Sequence, residues 1–338
     1  MHDAVITALL RWHATPATPS STTHTVTAAE AGERITLLAG SAFDDLGSKS
    51  QSRAAIKKGR LLLNGGVVES SRRVKLGDVL DYTPASSSFD TTDAERLQSL
   101  ARFCTHLQGQ GMRTPYEDDD VAIVYKPAGV HTKSGTNRRY AAFEDAIPAE
   151  LSLPPASKPR LPQPLVMHRL DVPVSGLCVV AKTRPAAMHI AKQFEERRVS
   201  KWYHALLVGV PDERIMEIDD PIDGLPSRTE LEVLSVTPHA QWGHLTSVRM
   251  KPVTGRTHQL RIHAAEALRC PIVGDDLYWE RAGAGAPALR KSGGLFLQSC
   301  GVRLELLDGS ELTVSVPEAR KFRALRSRAE SGAAYNSQ

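Results

Sequence analysis

Aromatic residues are scarce: phenylalanine, tryptophan and tyrosine together make up 5% of the 338 residues. Any surface on which nucleobases stack must therefore rest on a few rings. Cysteine is scarcer still. Cys104, Cys178, Cys270 and Cys300 lie far apart with no Cys-x-x-Cys pair. That excludes a disulfide scaffold and a cysteine-rich zinc site, and it fits a reducing compartment. No stretch approaches the roughly 18 apolar residues of a membrane-spanning helix, so no membrane partner is expected. Glycine-rich nucleotide loops are missing. His258 and His263 are five residues apart rather than four, which suits a two-histidine helical metal site poorly. Neither a metal nor another cofactor is expected.

What the chain does contain is enough for a sizeable core, with 41% hydrophobic and 24% charged residues. Its length suggests two domains at about 150 residues each. The net charge of +4 is small but unevenly spread. Between Gly47 and Lys75 stand Lys49, Arg53, Lys57, Lys58, Arg60, Arg72, Arg73 and Lys75 against the single acid Glu69, so this segment carries +7 and the remainder −3. Most charge runs are solvated helix faces. A basic segment on an otherwise slightly acidic chain also reads as a footprint for a polyanion.

Residues 1–33 are rich in Ala, Ser, Thr and Pro and are expected to be a flexible tail. The tail is poor in acids but holds only Arg11, half of a transit-peptide pattern. Compartment stays open: cytoplasm by default, mitochondrion or plastid if the tail is a targeting segment. A compact basic unit is expected at 34–82. In it, Ser50 caps a helix that stops at Gly59, Arg60–Asn64 is a strand, and Asn64-Gly65 is a tight turn to a return opening at Val67-Val68. A linker is expected at 83–119, including Pro84–Asp93 and a helix around Ala94–His106. The larger domain spans 120–318, and 319–338 reads as a C-terminal tail. Apolar, β-rich runs recur at Val121–Tyr125, Leu177–Ala181, Tyr203–Val208, Leu231–Val236 and Leu312–Val316. Helical patterns fall at Pro185–Arg197 and His258–Leu268, and Pro154–Pro164 looks like an insertion loop. The mixture reads as an α+β domain.

Four segments carry chemistry. His168-Arg-Leu-Asp171 places a carboxylate just before an apolar strand, where a loop presents it to a cleft. No second carboxylate follows at a useful spacing, so a paired acid/base glycosidase has little support, and no nucleophile elbow supports a hydrolase built on Asp171 and His168. Gly255-Arg-Thr-His-Gln-Leu-Arg261 leads into a helix, with Thr257 as N-cap and the apolar side at Leu260, Ala264 and Leu268. Arg256 and Arg261 alone would fit phosphate binding. Lys126-Pro-Ala-Gly129 is a strand end breaking into a turn. Lys201-Trp-Tyr-His-Ala205 is a strand with Tyr203, Ala205 and Leu207 on one face, and an inward tyrosine is more often core than catalytic.

Two resemblances organise these pieces. Ser52-Arg-Ala-Ala-Ile56-Lys-Lys-Gly59-Arg-Leu-Leu-Leu-Asn64-Gly65, closing with Gly77-Asp78, resembles the S4 RNA-binding module. The four segments in chain order, with Ser175-Gly176 and Val180-Ala-Lys-Thr183 continuing the run from His168 and Pro271-Ile-Val-Gly-Asp275 downstream, resemble the RluA-type RNA pseudouridine synthases. Together the resemblances cover roughly 34–82 and 120–318. They imply a small S4-like α/β domain ahead of an α+β catalytic domain whose mainly antiparallel, mixed sheet carries the cleft. They imply isomerisation of uridine in structured RNA, ribosomal RNA favoured and transfer RNA possible, after the base is flipped out of its stack.

By the same resemblance Asp171 is the catalytic carboxylate, acting as nucleophile or as base. Arg261 is the guanidinium that keeps it ionised, and Tyr203 is the aromatic against the flipped base. His168, Arg169, Lys126, Arg256, His258, Gln259 and Leu297 are expected to bind substrate. Lys49, Arg53, Lys57, Lys58, Arg60, Arg72 and Arg73 are expected to grip RNA phosphates without reading sequence. No obligate protein partner is inferred, and a monomer is expected. The chain departs from the family pattern at Val172-Pro-Val174, at Cys270 and at Leu297-Gln-Ser299, which bears on substrate choice more than on chemistry. The competing reading is a catalytically silent RNA-binding ribosome-assembly factor, which would have no need of Asp171, Tyr203 and Arg261 together.

Overall fold

The computed structural model describes residues 2–13, 22–43, 46, 48–83, 91–134, 141–282 and 293–331. The chain divides into two compact units, one of residues 10–95 and one of residues 1–9 with 96–338. The expected linker segment 84–90 and the end of the expected C-terminal tail, 332–338, lie outside the described residues.

The smaller unit holds a three-stranded sheet in the order β1 (Thr22–Thr25), β3 (Val79–Tyr82), β2 (Leu61–Leu63), with helices α2 (Ile35–Ala42) and α3 (Lys49–Lys57). Ile35, Leu38, Ala39, Ala55, Ile56, Leu61, Leu80 and Tyr82 form its core. Helix α3 turns Ser52, Ala55 and Ile56 inward and leaves Arg53 and Lys57 exposed, as its period requires. Its cap is Ser48, whose hydroxyl accepts from the Gln51 N–H at 3.2 Å, not Ser50 as expected. Gly59, at φ +65°, ends it as expected.

The expected tight return at Val67-Val68 does not form. Asn64 and Gly65 do turn, at φ 52° and 74°, but the strand that pairs with β2 is β3, beginning at Val79. The Asn64 side chain closes that longer loop, accepting from the Val79 N–H at 2.8 Å and donating to Asp78 at 2.9 Å. The bonds to Asp78, Asn64 foremost, hold its carboxyl below the ordinary range.

The flexible tail expected at 1–33 is corrected in two places. Helix α1 (His2–His13) buries Val5, Ala8, Leu9 and Trp12, which recur at helical spacing. Strand β1 pairs with β3 along Thr22–Thr25 and leads to the buried Val26. Composition signalled disorder, but β-branched threonine fits a pleated edge strand well.

The larger unit is built on one ten-stranded sheet. Its strands run β4 (Arg113–Glu117), β5 (Val121–Lys126), β7 (Ser175–Thr183), β12 (Leu297–Glu305), β8 (Ser200–Val208), β11 (Gly243–Pro252), β10 (Thr229–His239), β9 (Ile215–Ile218). Strand β6 (Arg160–Val166) also pairs with β7, and β13 (Glu311–Ser315) with β12. Among the described residues only the β7–β12 pair is parallel. β5 and β7 are buried along their whole length, as strands covered on both faces are. Helix α6 (Arg184–Glu195) supplies Ala186 and Ile190 to the core on one side, against Val121, Ile123, Leu177, Val179 and Val302. Where β12 meets β7, Gly176 sits at φ +129°, and a Cβ there would lie 2.1 Å from the Ser299 carbonyl oxygen. Only glycine allows the two strands to close.

Three further expectations change. The linker expected at 83–119 contains helix α4 (Thr91–Gly109) and edge strand β4; Pro115 within β4 is tolerated because an edge strand has a free side. The insertion loop expected at Pro154–Pro164 becomes strand β6 from Arg160 onward. The expected tail at 319–338 contains helix α8 (Arg320–Glu330), which buries Phe322 and Leu325 and packs Phe322 on Phe296 at 5.3 Å between ring centres. Five basic residues in eleven hid its two apolar anchors.

Candidate active site

Asp171 stands on the loop between β6 and β7. That loop is held from beneath by the turn after β5. The Thr132 hydroxyl donates to the Leu170 carbonyl at 2.6 Å and accepts from its N–H at 3.0 Å. Gly129 N–H donates to the Val172 carbonyl at 2.7 Å. Lys126 is fully enclosed. Its Nζ donates to the carbonyls of Pro127 (3.0 Å) and Val130 (2.9 Å) and reaches that of Val172 at 3.5 Å. Burial lowers its pKa to about 8. The expectation that Lys126 touches substrate is therefore corrected: its ammonium is used up tying two loops together. The Asp171 carbonyl closes a turn with Val174 N–H at 3.0 Å, so the hydrophobic Val172-Pro-Val174 segment keeps the loop shape.

The Asp171 side chain makes no hydrogen bond among the described residues and opens onto a cleft of about 360 Å³. Two basic groups face it. Arg261 Nη1 lies 3.8 Å from its Oδ2, and His258 Nε2 lies 3.7 Å away. Arg261 is 4% exposed, not turned to solvent off the apolar face of its helix, because it has a buried partner. Its Nε and Nη2 donate to the two oxygens of Asp275 at 2.8 and 2.7 Å. Burial works against its charge, but the bonds to Asp275 and the nearby Asp171 outweigh it and raise its pKa. Asp275 is 1% exposed and also accepts from the N–H groups of Leu277 and Tyr278. This fork leaves Nη1 free to face Asp171 in one orientation.

Asp275 is the site residue that sequence reading passed over, although the matching run Pro271–Asp275 ended on it. Tyr278 is another. Its hydroxyl meets His258 Nδ1 at 2.9 Å, and its ring lies 5.2 Å from the Arg261 guanidinium carbon.

The loop before Arg261 differs from expectation. His258, not Thr257, occupies the N-cap position of helix α7 (Gln259–Ile262), in the left-handed region at φ 55° and without a side-chain cap. Gln259 closes the loop instead. Its oxygen accepts from Thr254 Oγ1 and Arg256 N–H at 2.7 and 3.0 Å, and its amide donates to the Arg228 carbonyl and Thr229 Oγ1. The left-handed turn aims the His258 ring at Asp171, a strain of the kind found at functional sites. After α7 the helix widens into one π-type turn at His263–Ala267.

Tyr203 projects from β8 into the same cleft, with Arg169, Arg256 and Leu297 along its walls. Burial raises the tyrosine's pKa, so the phenol keeps its proton at neutral pH. Arg256 donates twice to the Pro226 carbonyl. His168 accepts from the Val179 N–H at 3.1 Å, and burial lowers its pKa to about 3. It is a neutral fastener of the loop. Asp171, Tyr203 and Arg261 are thus brought together, and six of the seven expected substrate contacts line the cleft. In the smaller unit Lys49, Arg53, Lys57, Lys58, Arg72 and Arg73 are exposed and Arg60 half-buried.

Residues 120–266 match the model of the RNA pseudouridylate synthase family, and residues 46–80 match the S4 domain. Ribosomal large subunit pseudouridine synthase D of Vibrio cholerae is 32% identical over 272 residues, covering 77% of this chain and 77% of that protein. Ribosomal large subunit pseudouridine synthase C of Vibrio vulnificus is 28% identical over 289 residues, covering 81% of this chain and 85% of that one. The solved structure of human RNA pseudouridylate synthase domain containing 4 shares the fold, with a TM-score of 0.53 at 23% identity, over 69% of this chain and 96% of that chain. With 32% identity to the Vibrio cholerae synthase over 77% of both chains, and a synthase match that follows an S4 match along the sequence, this chain belongs to the RNA pseudouridine synthase family, as an isomerase that acts on RNA.

Proposed function

We propose that the enzyme isomerises uridine in ribosomal RNA, with Asp171 as the catalytic carboxylate, Tyr203 against the flipped base and Arg261 as the charge facing Asp171. The observation that carries this reading is the Asp171 side chain, free of hydrogen bonds at the cleft wall and faced by a guanidinium that Asp275 holds in place. The bond from C1′ to N1 breaks, the uracil turns, C5 bonds to C1′, and the proton lost from C5 is balanced by one gained at N1. No atom enters or leaves overall. Attack on C1′ and proton removal from the sugar both call for an ionised carboxylate at this position. The protonated Tyr203 gives the base a flat, apolar neighbour with one polar tip. Arg169 and Arg256 line the rim where the RNA backbone enters. The exposed cations of the S4 domain hold phosphates and supply a salt-dependent affinity. Ribosomal RNA is favoured because the relatives above are named for the large ribosomal subunit.

Pseudouridine mapping by carbodiimide adduct and primer extension, in RNA from cells with and without the protein, tests the reading. The expected result is one lost stop, restored by wild type and not by Asp171→Asn, which still binds RNA. Restoration by Asp171→Asn would remove Asp171 from the mechanism. Retained binding with no lost stop in any abundant RNA would favour a silent assembly factor.

A further inference from the structure

Lys201 stands two residues before Tyr203 on β8, so both side chains face the cleft. Its side chain is half-buried at the cleft wall, and that partial burial lowers its pKa. Such a group is normally paired. Here it is not: among the described residues its one close partner is the Phe194 ring, 5.4 Å from Nζ, a contact that offsets part of the lost hydration. Asp171 lines the same cleft but forms no ion pair with it, and the other titratable groups beside it are neutral. His168 is held uncharged by burial, with the charge of Lys201 acting in the same direction. The Cys178 thiol is pushed up to about 12 by burial.

The other cations of the cleft are differently placed. Arg261 is bound to Asp275, Arg256 to the Pro226 carbonyl, and Arg169 is exposed to water. Lys201 therefore combines partial burial at the cleft wall with the lack of a bonded anion among the described residues, and such an anion has a natural source. A nucleotide turned into the cleft brings its flanking phosphodiesters with it.

We infer that Lys201 forms an anion subsite that takes a phosphate oxygen beside the flipped uridine. The inference rests on the cleft being the uridine site. It gives the lysine a role that exists only in the seated complex, so a nucleotide half inserted gains nothing from it. Full insertion and phosphate neutralisation become one event.

The test measures binding of uridine, uridine 5′-monophosphate and uridine 3′-monophosphate to the full chain by calorimetry, with inorganic phosphate as control. The expected result is that one monophosphate binds wild type about tenfold more tightly than uridine. That margin disappears in Lys201→Gln and Lys201→Met and survives in Lys201→Arg, and its identity tells the 5′ side from the 3′ side. Lys201→Met is also expected to leave the thermal midpoint unchanged or higher, since it removes a half-buried charge that has no bonded anion, whereas loss of a merely structural lysine would lower it. An unchanged margin in Lys201→Gln, or no margin in wild type, overturns the inference. Pseudouridine formation by wild type on RNA from cells lacking the protein reports separately on the cleft itself.

Discussion

Asp275→Asn isolates the brace behind Arg261. Both side chains are almost fully enclosed, and two bonds of 2.8 and 2.7 Å join them. Removing one partner of a buried ion pair costs about 3–5 kcal/mol. Asparagine keeps the shape: an oxygen at the Oδ1 position still accepts from Nη2 and from the Leu277 and Tyr278 N–H groups. Its amide, however, meets the Arg261 Nε–H donor to donor. The loss is one charge-assisted bond and the countercharge, about 2–3 kcal/mol. Urea unfolding followed by tryptophan fluorescence reads this for the catalytic unit, which contains Trp242 and Trp279. In a cycle with Arg261→Met, the coupling energy is expected to be about 2 kcal/mol or more. Pseudouridine formation, measured where both proteins are fully folded, is expected to fall at least about tenfold, or about 1.4 kcal/mol of activation energy, because Nη1 is no longer held toward Asp171. Coupling within about 0.5 kcal/mol of zero would refute the reasoning, as would an unchanged turnover.

Replacing Arg53, Lys57 and Lys58 together by Gln is expected to weaken RNA binding and flatten its logarithmic salt dependence by about 2 units if all three meet phosphate; single-turnover rates at saturating RNA stay unchanged, and an unaltered slope would contradict the assignment. His168 titrates at about 3 when folded and near 6.5 when unfolded, so the unfolded chain binds the extra proton between those values and stability falls as pH drops through that window. Between pH 7 and pH 5 wild type is expected to lose about 2 kcal/mol more than His168→Gln; parallel losses in urea midpoints would show that the ring is not held neutral. Gly176→Ala sets a Cβ 2.1 Å from the Ser299 carbonyl oxygen at φ +129° and is expected to destabilise the catalytic unit by about 3 kcal/mol or more. A soluble variant with wild-type thermal midpoint would count against that close approach.

The chemistry is more legible in the sequence than the frame. Asp171, Tyr203 and Arg261 stand out because each lies in a motif whose residue types are unusual together. Lys126 stands out for the same reason, yet its role is misread, since a motif marks that a lysine is needed and not whether its ammonium faces ligand or carbonyls. Asp275 escapes notice because its value lies in gripping Arg261, fourteen residues away, which no local pattern displays. The terminal elements are hidden by composition. Helix α8 sinks only Phe322 and Leu325 among arginines, and β1 is a run of threonine and histidine whose order comes from pairing with β3. The loop between Asn64 and Val79 misleads because a turn signal fixes a local bend and leaves the identity of the returning strand open.

The order of strands bears on how this enzyme is made. β12, from Leu297 to Glu305, lies between β7 and β8, so a late stretch of chain is wedged between two much earlier ones. Until it arrives, β8 presents an open hydrogen-bonding edge along Ser200–Ala205 and β7 one at Ser175-Gly176, and the cleft lacks the wall that Leu297 provides. Everything that Asp171 and Tyr203 require locally has left the ribosome some ninety residues before. Synthesis therefore passes through a long interval in which the S4 domain, with its cations exposed, can already hold RNA while the cleft is unfinished. Completion of the catalyst waits on a closure across a loop of that size, the slow kind of step in folding.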